Sequence, residues 1–234
     1  MGSGLSGWQR QKNAISIQQL IEDAILKITA EKVSVTGCSR TDAGVHAEEF
    51  IANFRTSSKI PTEKFAKALQ TKLPRAVHLL RSREVSSSFN ARRNSFEKTY
   101  RYQIYEGFSP FRIDRWWQLD DAGDLTLLQA AALQIKGKHD FSGFCVMSSL
   151  KSDNHCSIKQ AAWRRKGREL YFHISGDRFL HRMVRFLVGA QVELARGEME
   201  IEDFQIILNR PQRKRALYPA PPEGLYLMKV KYRE

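Results

Sequence analysis

The first periodic run of the chain is helical. Apolar residues recur at Ile17, Leu20, Ile21, Ala24, Ile25 and Ile28, the three-and-four spacing of one helix face. Ser16 stands just before the run and Gln19 three residues later, which is capping-box spacing. Val33 and Val35 then predict a short strand running into Gly37, and Phe50, Ala52 and Phe54 alternate as a second. Between them the segment from Ser39 to His46 is polar and contains glycine, so it reads as a loop. A second helix follows Pro61, with Phe65, Ala68, Leu69 and Leu73 on its apolar side, and Pro74 ends it. Val77, Leu79 and the residues up to Val85 predict another strand.

From Phe96 to Tyr105 the period becomes two, with Tyr100, Tyr102 and Ile104 on one face of a long strand. Asp124 can cap a helix through Leu127, Leu128, Ala131, Ala132 and Ile135, which stops at Gly137. Ile158 to Arg165 and Leu170 to Ser175 predict a hairpin around Lys166 and Gly167. A helix from about Arg178 to Arg196, a shorter one from Ile201 to Leu208 and a last strand from Leu225 to Tyr232 complete the chain. This order describes an α/β (α+β) protein of two similar halves, residues 1–92 and 93–234. The first half opens on Gly2, Ser3 and Gly4, so its first helix has no strand before it.

Charge changes the picture more than composition does. The 234 residues are 42% hydrophobic and 27% charged, ordinary for a folded domain, but 38 Lys and Arg stand against 25 Asp and Glu. A net charge of +13 points to a polyanionic partner, either nucleic acid or an acidic membrane surface. No apolar run approaches the roughly 20 residues of a membrane span, and the first residues have no apolar secretory core. A cytoplasmic protein is expected. Cys38, Cys145 and Cys156 are odd in number and far apart, so they are read as free thiols.

The chemistry concentrates in Gly37-Cys38-Ser39-Arg40-Thr41-Asp42-Ala43-Gly44-Val45-His46-Ala47. Loops between apolar strands commonly carry function, because the scaffold fixes them while leaving their side chains reachable. Taken alone, Asp42 before Ala43 and Gly44 reads equally well as an Asx-turn residue with Arg40 as its surface partner. On the helix predicted from Arg178, the residues Arg178, Arg182 and Arg185 share one stripe, ordinarily just a wet face. Leu180, Met183, Val184, Leu187 and Val188 fall on the opposite, core-facing stripe.

Arg40-Thr41-Asp42-Ala43-Gly44-Val45-His46 resembles the signature loop of the TruA family of tRNA pseudouridine synthases. Six further segments agree with that family in order: Gly7-Trp8-Gln9-Arg10-Gln11 with Ser16-Ile17-Gln18, Phe89-Asn90-Ala91-Arg92, Thr99-Tyr100-Arg101-Tyr102, His139-Asp140-Phe141-Ser142-Gly143-Phe144, Phe179-Leu180-His181-Arg182-Met183-Val184-Arg185, and Glu223-Gly224-Leu225-Tyr226-Leu227. The resemblance implies mixed, mainly antiparallel sheets with the active-site cleft between the halves. It implies isomerisation of uridine to pseudouridine at tRNA positions 38 to 40, no cofactor, no metal, and a homodimer.

Residue by residue, the resemblance makes Asp42 the catalytic aspartate, Arg185 its paired arginine and Tyr100 the tyrosine that stacks on the flipped base. These roles fit physical need. Charge develops at the anomeric carbon when a glycosidic bond breaks, so a carboxylate beside it is useful. In a site that excludes water, a carboxylate stays ionised more readily with a cation near. A uridine in a stem must be flipped out to react, and an aromatic can hold it. Leu225 would line the uracil pocket, Arg40 would grip the backbone or wedge the vacated position, and Arg178 and Arg182 would contact phosphates. Arg10 belongs to the same RNA-binding set. His46 is expected to hold the loop, since a neutral imidazole donates and accepts at once. Arg92, Arg93, Lys98 and Arg101, with Arg210, Arg213, Lys214 and Arg215, would form an RNA track.

Two positions depart from the family pattern. Members usually carry a strand before Gly2, and without it the first sheet is expected to expose an edge and lose stability. Ser39 stands where the family usually has Gly; if φ is positive there, Ser costs about 1 kcal/mol. The missing strand leaves a second reading, an RNA-binding or RNA-folding relative with impaired catalysis. A metal-dependent nuclease using Asp42, Glu48 and Glu49 is disfavoured, because adjacent strand residues point to opposite faces.

Overall fold

The computed structural model describes residues 1–209 and 217–233. Arg210, Arg213, Lys214 and Arg215 lie outside the described residues. Helix α1 spans Ile17–Thr29, and the Ser16 hydroxyl accepts from the Gln19 backbone N–H at its start. Ile21, Ala24 and Ile25 turn inward and pack with Trp8, Val35, Phe65 and Leu69 into a small core. Phe65 and Leu69 come from α2, Thr62–Gln70. Strands in this half are shorter than expected. β1 is Thr36–Gly37 and β3 is Ala52–Asn53, paired antiparallel as a two-stranded sheet, and β2, His46–Ala47, begins at the last residue of the predicted loop.

The strand expected from Val77 to Val85 does not form. Gln70 takes its place as a partner: the side chain donates to the Val77 carbonyl at 3.0 Å and accepts from the Leu79 N–H at 2.8 Å. Val77 is buried, but Leu80 and Val85 are exposed.

The second half supplies most of a seven-stranded, mainly antiparallel sheet in the order β2-β9-β4-β8-β7-β6, with β5 pairing β4. Its strands are β4 Ser95–Glu106, β5 Trp117–Leu119, β6 Gly137–Asp140, β7 His155–Lys166, β8 Glu169–Gly176 and β9 Leu225–Tyr232. Tyr100, Tyr102 and Ile104 all point inward from β4, as period two requires, beside Leu170, Phe172 and Ile174 of β8. Three helices cover this face: α3 Leu125–Gln134, α4 Met183–Ala195 and α5 Ile201–Asn209. Helix α4 is buried along almost its whole length. Its interior Gln191 is satisfied, accepting from the Trp163 indole at 2.9 Å and donating to the Leu187 carbonyl.

Helix α4 begins five residues later than the arginine spacing suggested. Arg182 adopts a left-handed conformation, φ 61°, and serves as its N-cap. Arg178 and Arg182 therefore precede the helix, and the three-arginine stripe does not exist as a helical face. β2 joins the two halves, because His46 and Ala47 pair in parallel with Tyr226 and Leu227 of β9.

Candidate active site

The loop of Asp42 rests on the N-terminal segment. Trp8 N–H donates to the Thr41 carbonyl at 3.1 Å, Gly44 N–H to the Leu5 carbonyl at 3.3 Å, and Gly2 N–H to His46 Nδ1 at 2.9 Å. Gly7 passes directly beneath Asp42 with φ +77°, and a Cβ there would lie 2.8 Å from the Asp42 carbonyl carbon. Only glycine combines that conformation with so close an approach. On the other side the Cys38 N–H donates to the Ile51 carbonyl. His46 is buried, its ring tilted against Tyr226 with centroids 4.6 Å apart, and burial holds its pKa below the ordinary value, so the ring is neutral at neutral pH. With Nδ1 accepting from Gly2, the proton sits on Nε2.

Asp42 meets the second half through Arg185. Nη1 of Arg185 donates to Asp42 Oδ2 at 2.9 Å, and both side chains are largely buried. Arg185 is itself fixed, its Nε donating to the Ala220 carbonyl at 2.7 Å. Two more basic groups come from the turn before α4. His181 Nε2 stands 3.4 Å from Oδ1, and Arg182 Nε stands 4.0 Å from Oδ2. Both are half exposed, so solvent screens them more than Arg185. The carboxylate thus has one oxygen hydrogen-bonded to a guanidinium and the other more lightly held.

The structure brings Tyr100 and Leu225 to the inner face beside this loop, on the adjacent strands β4 and β9. Tyr100 is only 6% exposed, its ring edge-on to Phe179 at 5.1 Å and its hydroxyl 3.0 Å from Ser39 Oγ. A base would therefore meet only a small part of the ring in this conformation. Tyr102 is fully buried, and its hydroxyl donates to the Pro221 carbonyl. Arg40 is exposed, near Arg92, and forms no ion pair with a described residue. Arg178 turns to Asp153, donating to its carbonyl at 3.2 Å. Arg10 is held by Glu22 at 2.8 Å on the surface of α1. The expected basic track is broken: Lys98 is buried against Ser95 Oγ, and Arg101 pairs with Glu48 on the opposite face of β4. Glu48 and Glu49 are both engaged away from Asp42, Glu49 accepting from the Val230 N–H.

The family model described as tRNA pseudouridine synthase matches residues 2–92 and 131–233. The chain belongs to the tRNA pseudouridine synthase family. Named relatives agree along its length. A tRNA pseudouridine synthase A of Acetivibrio thermocellus is 40% identical over 233 residues, covering 99% of this chain and 96% of the relative. One of Clostridium kluyveri is 41% identical with the same coverage, and one of Methylacidiphilum infernorum 35% over 234 residues, covering 99% and 92%.

Two contacts of this tRNA pseudouridine synthase family member were not assigned from sequence. One is His181 against Asp42 Oδ1; its spacing of four from Arg185 was the available signal. The other is the Ser39 hydroxyl on Tyr100, hidden because Ser39 looked only like a replaced glycine. Ser39 is not among the residues of positive φ, so no backbone strain attends it.

Proposed function

We propose that the protein isomerises uridine to pseudouridine in the tRNA anticodon stem-loop, at positions 38 to 40, with Asp42 as the catalytic carboxylate. The carrying observation is the 2.9 Å contact between Asp42 and Arg185, one from each half of the chain. Isomerisation breaks the bond from N1 to C1′, turns the uracil, and joins C5 to C1′. The C5 proton leaves and N1 gains one, so the atoms balance without an outside reagent. Arg185 occupies Oδ2, which leaves Oδ1 as the oxygen that works on the ribose, by attack at C1′ or by taking a proton from the sugar. Tyr100 and Leu225 form the floor on which the uracil turns. Arg40 and Arg182, both exposed beside the loop, meet the RNA backbone. Arg178 meets it further out.

The protein works as a cytoplasmic homodimer in this reading. Phe108 and Phe111, 74% and 83% exposed just past the end of β4, supply apolar surface for a second copy. Light scattering of the purified protein checks that part. The activity is tested by mapping pseudouridine in tRNA from cells with and without the gene, and in tRNA transcripts treated with purified protein. Loss of pseudouridine at positions 38 to 40 in the deletion, restored by the protein in vitro, is expected. Unchanged tRNA in both experiments overturns the proposal.

A further inference from the structure

We infer that Ser39 is a positioning residue, tying the loop of Asp42 to the Tyr100 ring through the hydrogen bond between their hydroxyls. The inference rests on the proposed activity and deepens it. Ser39 lies three residues before Asp42, and its Oγ stands 3.0 Å from the Tyr100 hydroxyl oxygen, a contact between residues 61 positions apart. Tyr100 projects from β4, in the middle of the large sheet. The bond therefore joins the loop of Asp42 to the middle of the large sheet.

Two contacts define the Tyr100 ring. Phe179 meets it edge to face, with an interplanar angle of 80°, and sets its tilt. Ser39 holds the far end, the phenolic oxygen. Burial pushes the phenol well above its ordinary pKa, so the hydroxyl keeps its proton and the bond persists through neutral pH. A glycine at this position would have no hydroxyl to offer. Losing one partner of a buried pair leaves the other unsatisfied, the more costly way to lose a hydrogen bond.

The test is steady-state turnover of a tRNA transcript by wild type, Ser39→Ala, Ser39→Thr, Tyr100→Phe and the double variant Ser39→Ala/Tyr100→Phe. Ser39→Ala is expected to lower kcat about threefold to tenfold, the scale of one net hydrogen bond, with KM changed by less than about twofold. Ser39→Thr keeps the hydroxyl and recovers most of the rate. In the Tyr100→Phe background, Ser39→Ala has no further effect, because the partner is already gone. An equal fold-loss in both backgrounds, or no loss from Ser39→Ala in wild type, overturns the inference. Failure of the activity itself shows as an inactive wild type. Failure of the pairing shows only in the ratios between variants.

Discussion

Arg185 is held at two points: Nη1 donates to Asp42 Oδ2 at 2.9 Å while Nε donates to the Ala220 carbonyl at 2.7 Å. The Ala220 N–H returns a bond to the Arg185 carbonyl, so the segment before β9 and the first turn of α4 move together. A planar fork serves both acceptors at once, whereas an ammonium is a single point charge. Arg185→Lys is therefore expected to keep the charge yet lower kcat at least about tenfold. Arg185→Ala strands a mostly buried carboxylate and should destabilise the fold by about 3 kcal/mol, the low end for buried pairs. Thermal melts and single-turnover rates check the two effects separately. Wild-type rates from Arg185→Ala at saturating tRNA would remove the pairing from the mechanism.

Asp42→Asn retains the size and one acceptor of the side chain but removes its charge. The proposed work of Asp42 is on the sugar, and the proposed phosphate contacts are those of Arg40, Arg178 and Arg182. Pseudouridine formation should vanish, and tRNA affinity at fixed salt should stay within about threefold, since the phosphate contacts that dominate affinity are untouched. Filter binding and nucleoside analysis measure the pair. Turnover near wild type in Asp42→Asn contradicts the assignment.

Strongly periodic elements could be read from the sequence. Helix α1 and its Ser16 cap, the long β4 with Tyr100, Tyr102 and Ile104 inward, and the β7–β8 hairpin all follow from spacing alone. Elements without such a signal were misjudged. Residues 77–85 alternate like a strand, but Gln70 satisfies the backbone that a neighbouring strand would have paired. The start of α4 was misplaced because Arg182 carries nothing in its chemistry that announces a left-handed backbone. Asp42 and Arg185 came through resemblance. Spacing could not have joined residues 143 positions apart. Arg101 and Lys98 illustrate the opposite limit: a basic side chain shows charge in the sequence but not whether an acid or a burial site has already claimed it.

Gly7 offers a test of the loop's support that does not touch the chemistry. Its φ is +77° and a Cβ there meets the backbone of Thr41, Asp42 and Ala43, whereas Gly4 has φ +72° with nothing within 4 Å. Gly4→Ala should cost only the left-handed backbone penalty, about 1 kcal/mol, with kcat unchanged. Gly7→Ala adds a clash with backbone that cannot rotate away, about 2 kcal/mol or more in total, and displaces Asp42. The expected result is a lower melting temperature for both and a lower kcat for Gly7→Ala alone. Equal kcat in the two variants would mean the loop does not depend on this segment.

His46 predicts an acid-sensitive fold. Its Nδ1 accepts from the Gly2 N–H, so protonation must break that bond and place a cation against Tyr226 in a buried site. Burial lowers its folded pKa from the ordinary 6.5, with further lowering from positive charge nearby. The unfolded chain therefore takes up the proton first, and stability must fall as pH drops below about 6.5, having been constant with respect to this group above it. His173 is depressed too, by burial and by Arg101 and Arg164, and adds to the same slope. Carboxylates with lowered pKa, such as Glu31 and Glu97, start from 4.5 and act below that value. The Met1 amino group is likewise held below its ordinary 8.0 by burial and adds a fall that starts near pH 8, so the two histidines are read from the additional slope between about 6.5 and 4.5. Urea unfolding from pH 8 to pH 5 should show wild-type stability falling with pH, more steeply once the pH passes below about 6.5. His46→Asn keeps an acceptor on Cγ for the Gly2 N–H but loses the ring against Tyr226, so it should be less stable at pH 8, yet show a shallower fall, with the His173 share remaining. An unchanged slope in His46→Asn would mean that the Gly2 contact and burial do not hold the folded His46 pKa below that of the unfolded chain.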